Sequence, residues 1–193
     1  MSRNEGWSEP CGIPTGPARR SLIQSKKTSA PPGLFYIHGA LHLYHEDGEV
    51  KKHSWKRQGI RLVELVKEGL NKGQYPLFVA EGKSEKKEEQ ILNNGYLSYC
   101  YGKLRRVQNA IFTVGCSLGD NDWHIYRAIA ENLTISQVYV GTFAKPKSPG
   151  YRQINKTIAL MKDRRNLVND RYGNRSPLEI NLFDSKTAQV WGK

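Results

Sequence analysis

The chain has 193 residues, 38% of them apolar and 25% charged, which suits one ordinary domain with a real core and excludes a wholly disordered polymer. No run approaches the roughly 18 apolar residues of a membrane span, and the polar start Met1–Glu9 lacks the apolar centre of a secretory signal, so a cytoplasmic protein is expected. Thirty Lys and Arg against 18 Asp and Glu leave +12, a balance that fits polyanions or a phosphate-bearing small molecule.

Residues 1–33 are rich in Gly, Pro, Ser and Arg, end on Pro31-Pro32-Gly33 and show no sustained period. They read as a disordered or non-native leader ahead of an α/β domain over 34–193. Short β-rich apolar runs predict strands at Leu34–Ile37, Leu77–Ala80, Ile111–Val114, Val138–Gly141 and Ile180–Phe183. Four helices are expected between them. The first has an apolar side of Ile60, Val63, Val66 and Leu70. The second is capped by Ser84 and carries Ile91, Tyr96, Tyr99 and Leu104. The third spans about 121–132 with Trp123, Tyr126, Ile129 and Ala130 inward, and the fourth about 151–169 with Ile154, Ile158, Met161 and Leu167. This alternation predicts a Rossmann-like three-layer α/β domain with a mostly parallel sheet.

In such sheets, ligands sit in the loops after the strands. Three loops carry chemistry. Phe35-Tyr36-Ile37-His38-Gly39 places a histidine at a strand end, where an imidazole with an ordinary pKa near ~6.5 can act as a base or serve as a hydrogen-bonded structural residue. His38, His42 and His45 invite a zinc reading, but 38 and 42 share a strand face that 45 does not, and no thiolate or HExxH pattern supports it, so no metal is assigned. Val114-Gly115-Cys116-Ser117-Leu118-Gly119-Asp120-Asn121-Asp122 opens from a strand into two glycines, a hydroxyl and carboxylates. That composition suits either cradling of ribose and phosphate or N-capping by Asp120 or Asp122. Glu81-Gly82-Lys83-Ser84 lacks the GxxxxGK[ST] spacing of a phosphate loop and reads as a solvated helix entrance. Cys11, Cys100 and Cys116 form no CxxC pair, and Cys100 and Cys116, in apolar surroundings, read as small core residues. The cations are scattered without interleaved aromatics, so nucleic acid is the less favoured partner.

The segments LFYIHGALHLY, PLFVAEGKSEKK, NNGYLSYCYGKL, IFTVGCSLGDNDWHI and LEINLFDSKTAQVWGK, in this order from Leu34 to Lys193, resemble an uncharacterised bacterial family of sirtuin-like proteins. The resemblance implies a sirtuin-like NAD-binding fold with His38 as the catalytic histidine and Gly39 beside it. It further implies that Gly115 and Ser117 hold NAD and that Asp120 takes the acidic position of the non-deacetylase branches; Gly39 and Gly141, in the loops directly after expected strands, are expected to join them in binding the cofactor. The implied chemistry is NAD glycohydrolase-type cleavage of the nicotinamide–ribose bond, in a group associated with antiviral defence. The family's N-terminal half, with a Gly-Ala-Gly phosphate loop and an upstream Asn, has no counterpart in Met1–Gly33. The resemblance therefore covers the carboxyl half, and the isolated chain is expected to turn over little NAD unless a separate N-terminal half or a homo-oligomer completes the site. The rival expectation is a non-catalytic basic scaffold that binds nucleic acid or a partner subunit.

Overall fold

In chain order, β1 (Gly39–Glu46) turns at Asp47-Gly48 into β2 (Glu49–Lys52). Both turn residues have positive φ, 53° and 78°, the backbone a two-residue hairpin demands. Helix α1 (Leu62–Asn71), β3 (Pro76–Phe78), α2 (Ser84–Leu92) and α3 (Gly95–Leu104) follow. Then come β4 (Asn109–Thr113), a 3-10 turn (Asp120–Asp122), α4 (Trp123–Glu131), β5 (Ile135–Thr142), α5 (Pro149–Tyr172), β6 (Glu179–Asp184) and a last 3-10 turn (Ser185–Ala188). The computed structural model describes residues 33–54 and 59–188. The expected leader falls outside these residues except for Gly33. The described residues from Leu34 to Ala188 form one compact unit.

The fold is α/β, with a parallel sheet β4-β5-β6 registered through Ile111↔Val138 and Val138↔Ile180. Val138 and Val140 of β5 are buried against Tyr126, Ile129 and Ala130 of α4 and Ile154 and Met161 of α5. Ala128, on another side of α4, joins a second cluster with Val79, Ile91, Leu97 and Tyr101. Helix α4 is thus wedged between the parallel sheet and the α2–α3 pair, which explains why five of its nine residues are buried. Helix α5 has strong boundaries: Ser148 accepts from the Tyr151 N–H, Pro149 starts the helix, and Gly173 ends it at φ 61°.

Several expected elements differ from the structure. Leu34–Ile37 is not a strand; Phe35 packs its ring against Tyr99 of α3, with centroids 6.2 Å apart. Phe35 and Ile37 find apolar partners outside a strand, on α3 and in the Val79–Ile91–Leu97 cluster, while Leu34 is exposed. The second expected strand shortens to β3, which pairs antiparallel with β1 in a separate sheet of order β2-β1-β3. Helix α1 buries Leu65 and Gly69, while Val63 is 58% exposed and Ile60 and Leu70 also face outward; a Cβ on Gly69 would stand 2.8 Å from His53 Nε2, so the helix meets its neighbour across a glycine. The expected second helix breaks at Asn93-Asn94, because the Asn94 side chain accepts from the Tyr96 and Leu97 N–H groups and starts a new helix. Leu167 of α5 is exposed, and the buried position nearby is Arg165.

Candidate functional site

His38 precedes β1 instead of ending a strand. Its backbone is fixed by the turn Tyr36–Gly39, in which the Gly39 N–H donates to Tyr36 O at 3.0 Å. Gly39 has φ 74°, and a Cβ there would lie 2.0 Å from Leu77 O, so only glycine lets β1 begin against β3. Because β1 and β3 run antiparallel, with Gly39 opposite Phe78 and the Val79 N–H donating to His38 O at 2.8 Å, His38 still lies beside the carboxyl end of a strand.

The side chain meets a residue 86 positions away. His38 Nε2 and His124 Nε2 are 2.8 Å apart, a contact that holds one proton. His124, in the first turn of α4, is fully buried. Its backbone N–H donates to Ser84 Oγ at 2.7 Å, and its Nδ1 is 3.0 Å from the same oxygen. Two neutral arrangements with equal numbers of protons fit these distances. In one, the Ser84 hydroxyl donates to Nδ1 and His124 Nε2–H donates to His38. In the other, His38 Nε2–H donates to His124 and His124 Nδ1–H donates to Ser84, leaving the His38 Nδ1 lone pair free to take a proton. His38 Nδ1 has no hydrogen-bond partner among the described residues.

Charge surrounds this pair. Lys87, buried one turn after Ser84 on α2, donates to Asp122 Oδ1 at 2.9 Å. The nearest nitrogen and oxygen donor atoms of His38, Asp122 and His124 all lie within 4.8 Å of one another. Burial lowers the His38 pKa; the Asp122 carboxylate pulls it back up and Lys87 pushes it down again. Burial and the neighbouring His38 push His124 down to about 4. Both rings are therefore neutral at pH 7. Behind them, Tyr101 donates its hydroxyl to His124 O at 2.8 Å and lies 3.1 Å from Glu88 Oε1, while Glu88 is ion-paired with Arg127.

The other expected site residues have surroundings of their own. Gly115 has φ 74° with nothing within 4 Å of where a Cβ would stand, so its turn opens to space. Ser117 folds back, its Oγ 3.4 Å from where a Gly119 Cβ would be. Asp120 caps nothing: it accepts from Gln153 at 2.9 Å and Lys156 at 2.8 Å on α5 and edges a cavity of about 300 Å³ with Trp123 and Leu160. Asp122 likewise makes no capping bond. Gly141 is packed by Phe183, Ser185 and Thr113 O, all within 3.0 Å of a would-be Cβ, which gives it a packing reason to be glycine. It leads into a cavity of about 390 Å³ at the carboxyl ends of β5 and β6, lined by Phe143, Lys145, Tyr151, Phe183 and Lys186. His42 contacts the Tyr36 ring and His45 Nε2 the Asn94 side chain, so neither joins His38.

Sequence reading missed His124, Lys87 and the true role of Ser84, which is the first residue of α2 and serves the imidazole instead of its own helix. A signal existed. The segment SEKKEEQIL has only two apolar residues, so a helix made from it can pack only by burying polar groups, and those groups need partners. The sequence profile of the family described as "Domain of unknown function (DUF4917)" matches residues 20–191. The chain belongs to the DUF4917 family. No curated protein and no solved structure matches it. The matched span of this DUF4917 chain contains every residue of the His38–His124–Asp122 centre.

Proposed function

We propose that this DUF4917 chain binds NAD and supplies the proton-accepting histidine for cleavage of its nicotinamide–ribose bond. One observation carries the reading: His38 and the segment after the Gly115–Asp120 turn, far apart in sequence, meet through a 2.8 Å imidazole contact beside a carboxylate. In the reaction, the C1′–N bond breaks with its electron pair leaving on nicotinamide. Water adds to the oxocarbenium-like carbon, and His38 takes the water's proton. Asp122 stabilises the imidazolium so formed, and His124 with Ser84 holds the ring's orientation. The open Gly115 turn would face ribose or phosphate. The Phe143–Tyr151–Phe183 cavity, with Lys145 and Lys186, has the aromatic and cationic lining that a base and phosphates require. Among the described residues the thiols of Cys100 and Cys116 are free, Cys100 buried as a core residue and Cys116 exposed where a core position was expected, which fits a reducing cytoplasm. Among the described residues, no helix is long and apolar enough to cross a membrane.

The test is nicotinamide release from NAD by the chain alone and by the chain mixed with the N-terminal segment of a family relative. Turnover is expected in the mixture, and His38→Ala should lower it by about 10²–10⁴-fold. Turnover unaffected by His38→Ala would refute the assignment.

A second reading, a partner-binding scaffold, is favoured by one feature. Phe112 is 66% exposed and stacks on Tyr139, rings 4.5 Å apart, on the sheet face opposite the buried valines. Light scattering of the wild type against Phe112→Ser tests it: a larger wild-type mass that falls in the variant supports it, and equal monomer masses refute it.

A further inference from the structure

We infer that His38, His124 and Asp122 form a binding site for a divalent transition-metal ion of the zinc class, held between the two imidazoles in place of their shared proton. The inference uses the same side chains as the proposed base; with an ion bound His38 has no free lone pair, so the metal-loaded state is an alternative to the base-competent one, and its test contains no NAD and stands or falls separately from that reading.

The donor set is two imidazole nitrogens and one carboxylate oxygen, which selects zinc-like ions over magnesium or calcium. Two Nε2 atoms facing each other at 2.8 Å need only a small separation. Ligand atoms about 2.1 Å from a tetrahedral centre lie ~3.4 Å apart, so the rings must part by roughly half an ångström. The three donor atoms span no more than 4.8 Å, so Asp122, half-exposed on a 3-10 turn, has to swing its carboxylate inward by at most about 1.4 Å to reach that spacing.

The ring protons balance. His124 moves its proton from Nε2 to Nδ1, where Ser84 Oγ lies 3.0 Å away to accept it; His38 keeps its proton on Nδ1, and both Nε2 lone pairs then face the ion. An acceptor behind a ligating histidine is what orients such ligands in metal sites. Lys87 opposes the ion. Its ammonium, 2.9 Å from Asp122 Oδ1, holds the carboxylate back and adds like charge.

The experiment dialyses the full chain against zinc, measures retained metal by mass spectrometry, and titrates affinity against a chromophoric chelator; Co²⁺ substitution reports nitrogen ligation by its visible absorption. One ion per chain is expected. His38→Ala should weaken affinity by more than about a hundredfold, beyond what loss of an outer-shell partner causes, while His45→Ala leaves it unchanged. Because His124 is fully buried and its variant is prone to misfold, Lys87→Gln supplies the second arm. Removing the ammonium should tighten binding, and equal or weaker binding there would overturn Asp122 as the third ligand. Failure of the wild type to retain zinc, or retention unchanged in a folded His38→Ala protein, would overturn the site.

Discussion

Replacing Arg165 by Met should be among the most damaging single changes in this chain. Arg165 is only 1% exposed and has no carboxylate partner among the described residues. Its guanidinium instead donates to Ala130 O at 2.7 Å, Asn132 O at 2.8 Å and Ile135 O at 3.0 Å. These carbonyls belong to the end of α4, the following loop and the start of β5, so one side chain fastens the crossover between helix and sheet. Hydrogen bonds from a charged donor are worth about 1.5–3 kcal/mol each. The methionine removes the cation and its desolvation cost but leaves three carbonyls without that donor, at about 1–3 kcal/mol each, so the net loss should be about 3–5 kcal/mol. For a unit of this size that lowers Tm by roughly 6–20 °C. Arg165→Lys keeps the charge but cannot span three carbonyls, and should recover less than half of the loss. Urea unfolding followed by tryptophan fluorescence measures both variants. A loss under about 1 kcal/mol for Arg165→Met would refute the view that this arginine is a structural fastener.

Other perturbations separate backbone, charge and site. Gly39→Ala forces a side chain into a φ of 74° and against Leu77 O at 2.0 Å, so it should detach the start of β1 and displace His38; amide exchange at Gly39 and Val79 should accelerate before global stability falls. Burial alone would push the Glu88 carboxyl up, but the Arg127 hydrogen bond and charge, with Tyr101, hold it below the ordinary range. Its folded pKa is therefore depressed, so its contribution is present above the ordinary carboxylate range and lost as pH falls through the folded value. Acid titration of stability should show a shallower fall in Glu88→Gln than in wild type, and identical acid limbs would contradict that pairing.

The legible parts of the sequence were those where burial is apolar and periodic. Ile111, Val138 and Ile180 announced the parallel sheet, and Tyr126, Ile129 and Ala130 the inner side of α4, because the hydrophobic effect writes directly into spacing. Leu34–Ile37 misled because a run that finds apolar partners outside a strand has the same composition as one within it. Helix α1 misled because its contact is made through Gly69, a residue with no side chain to register in a hydrophobic pattern. His38 and the Gly115 turn stood out by residue type, but His124, Ser84 and Lys87 did not. Their burial is polar and mutual, and that pairing exists only once α2 and α4 are packed together.

NAD is proposed to dock against the His38–His124 pair. The direct measurement is the imidazole region of the ¹H–¹⁵N spectrum during an NAD titration, with resonances assigned through His38→Ala and His45→Ala. Saturable shifts at both His38 and His124, with His45 unmoved, are the predicted result. Saturable NAD binding that leaves both of these imidazoles unperturbed would contradict the account.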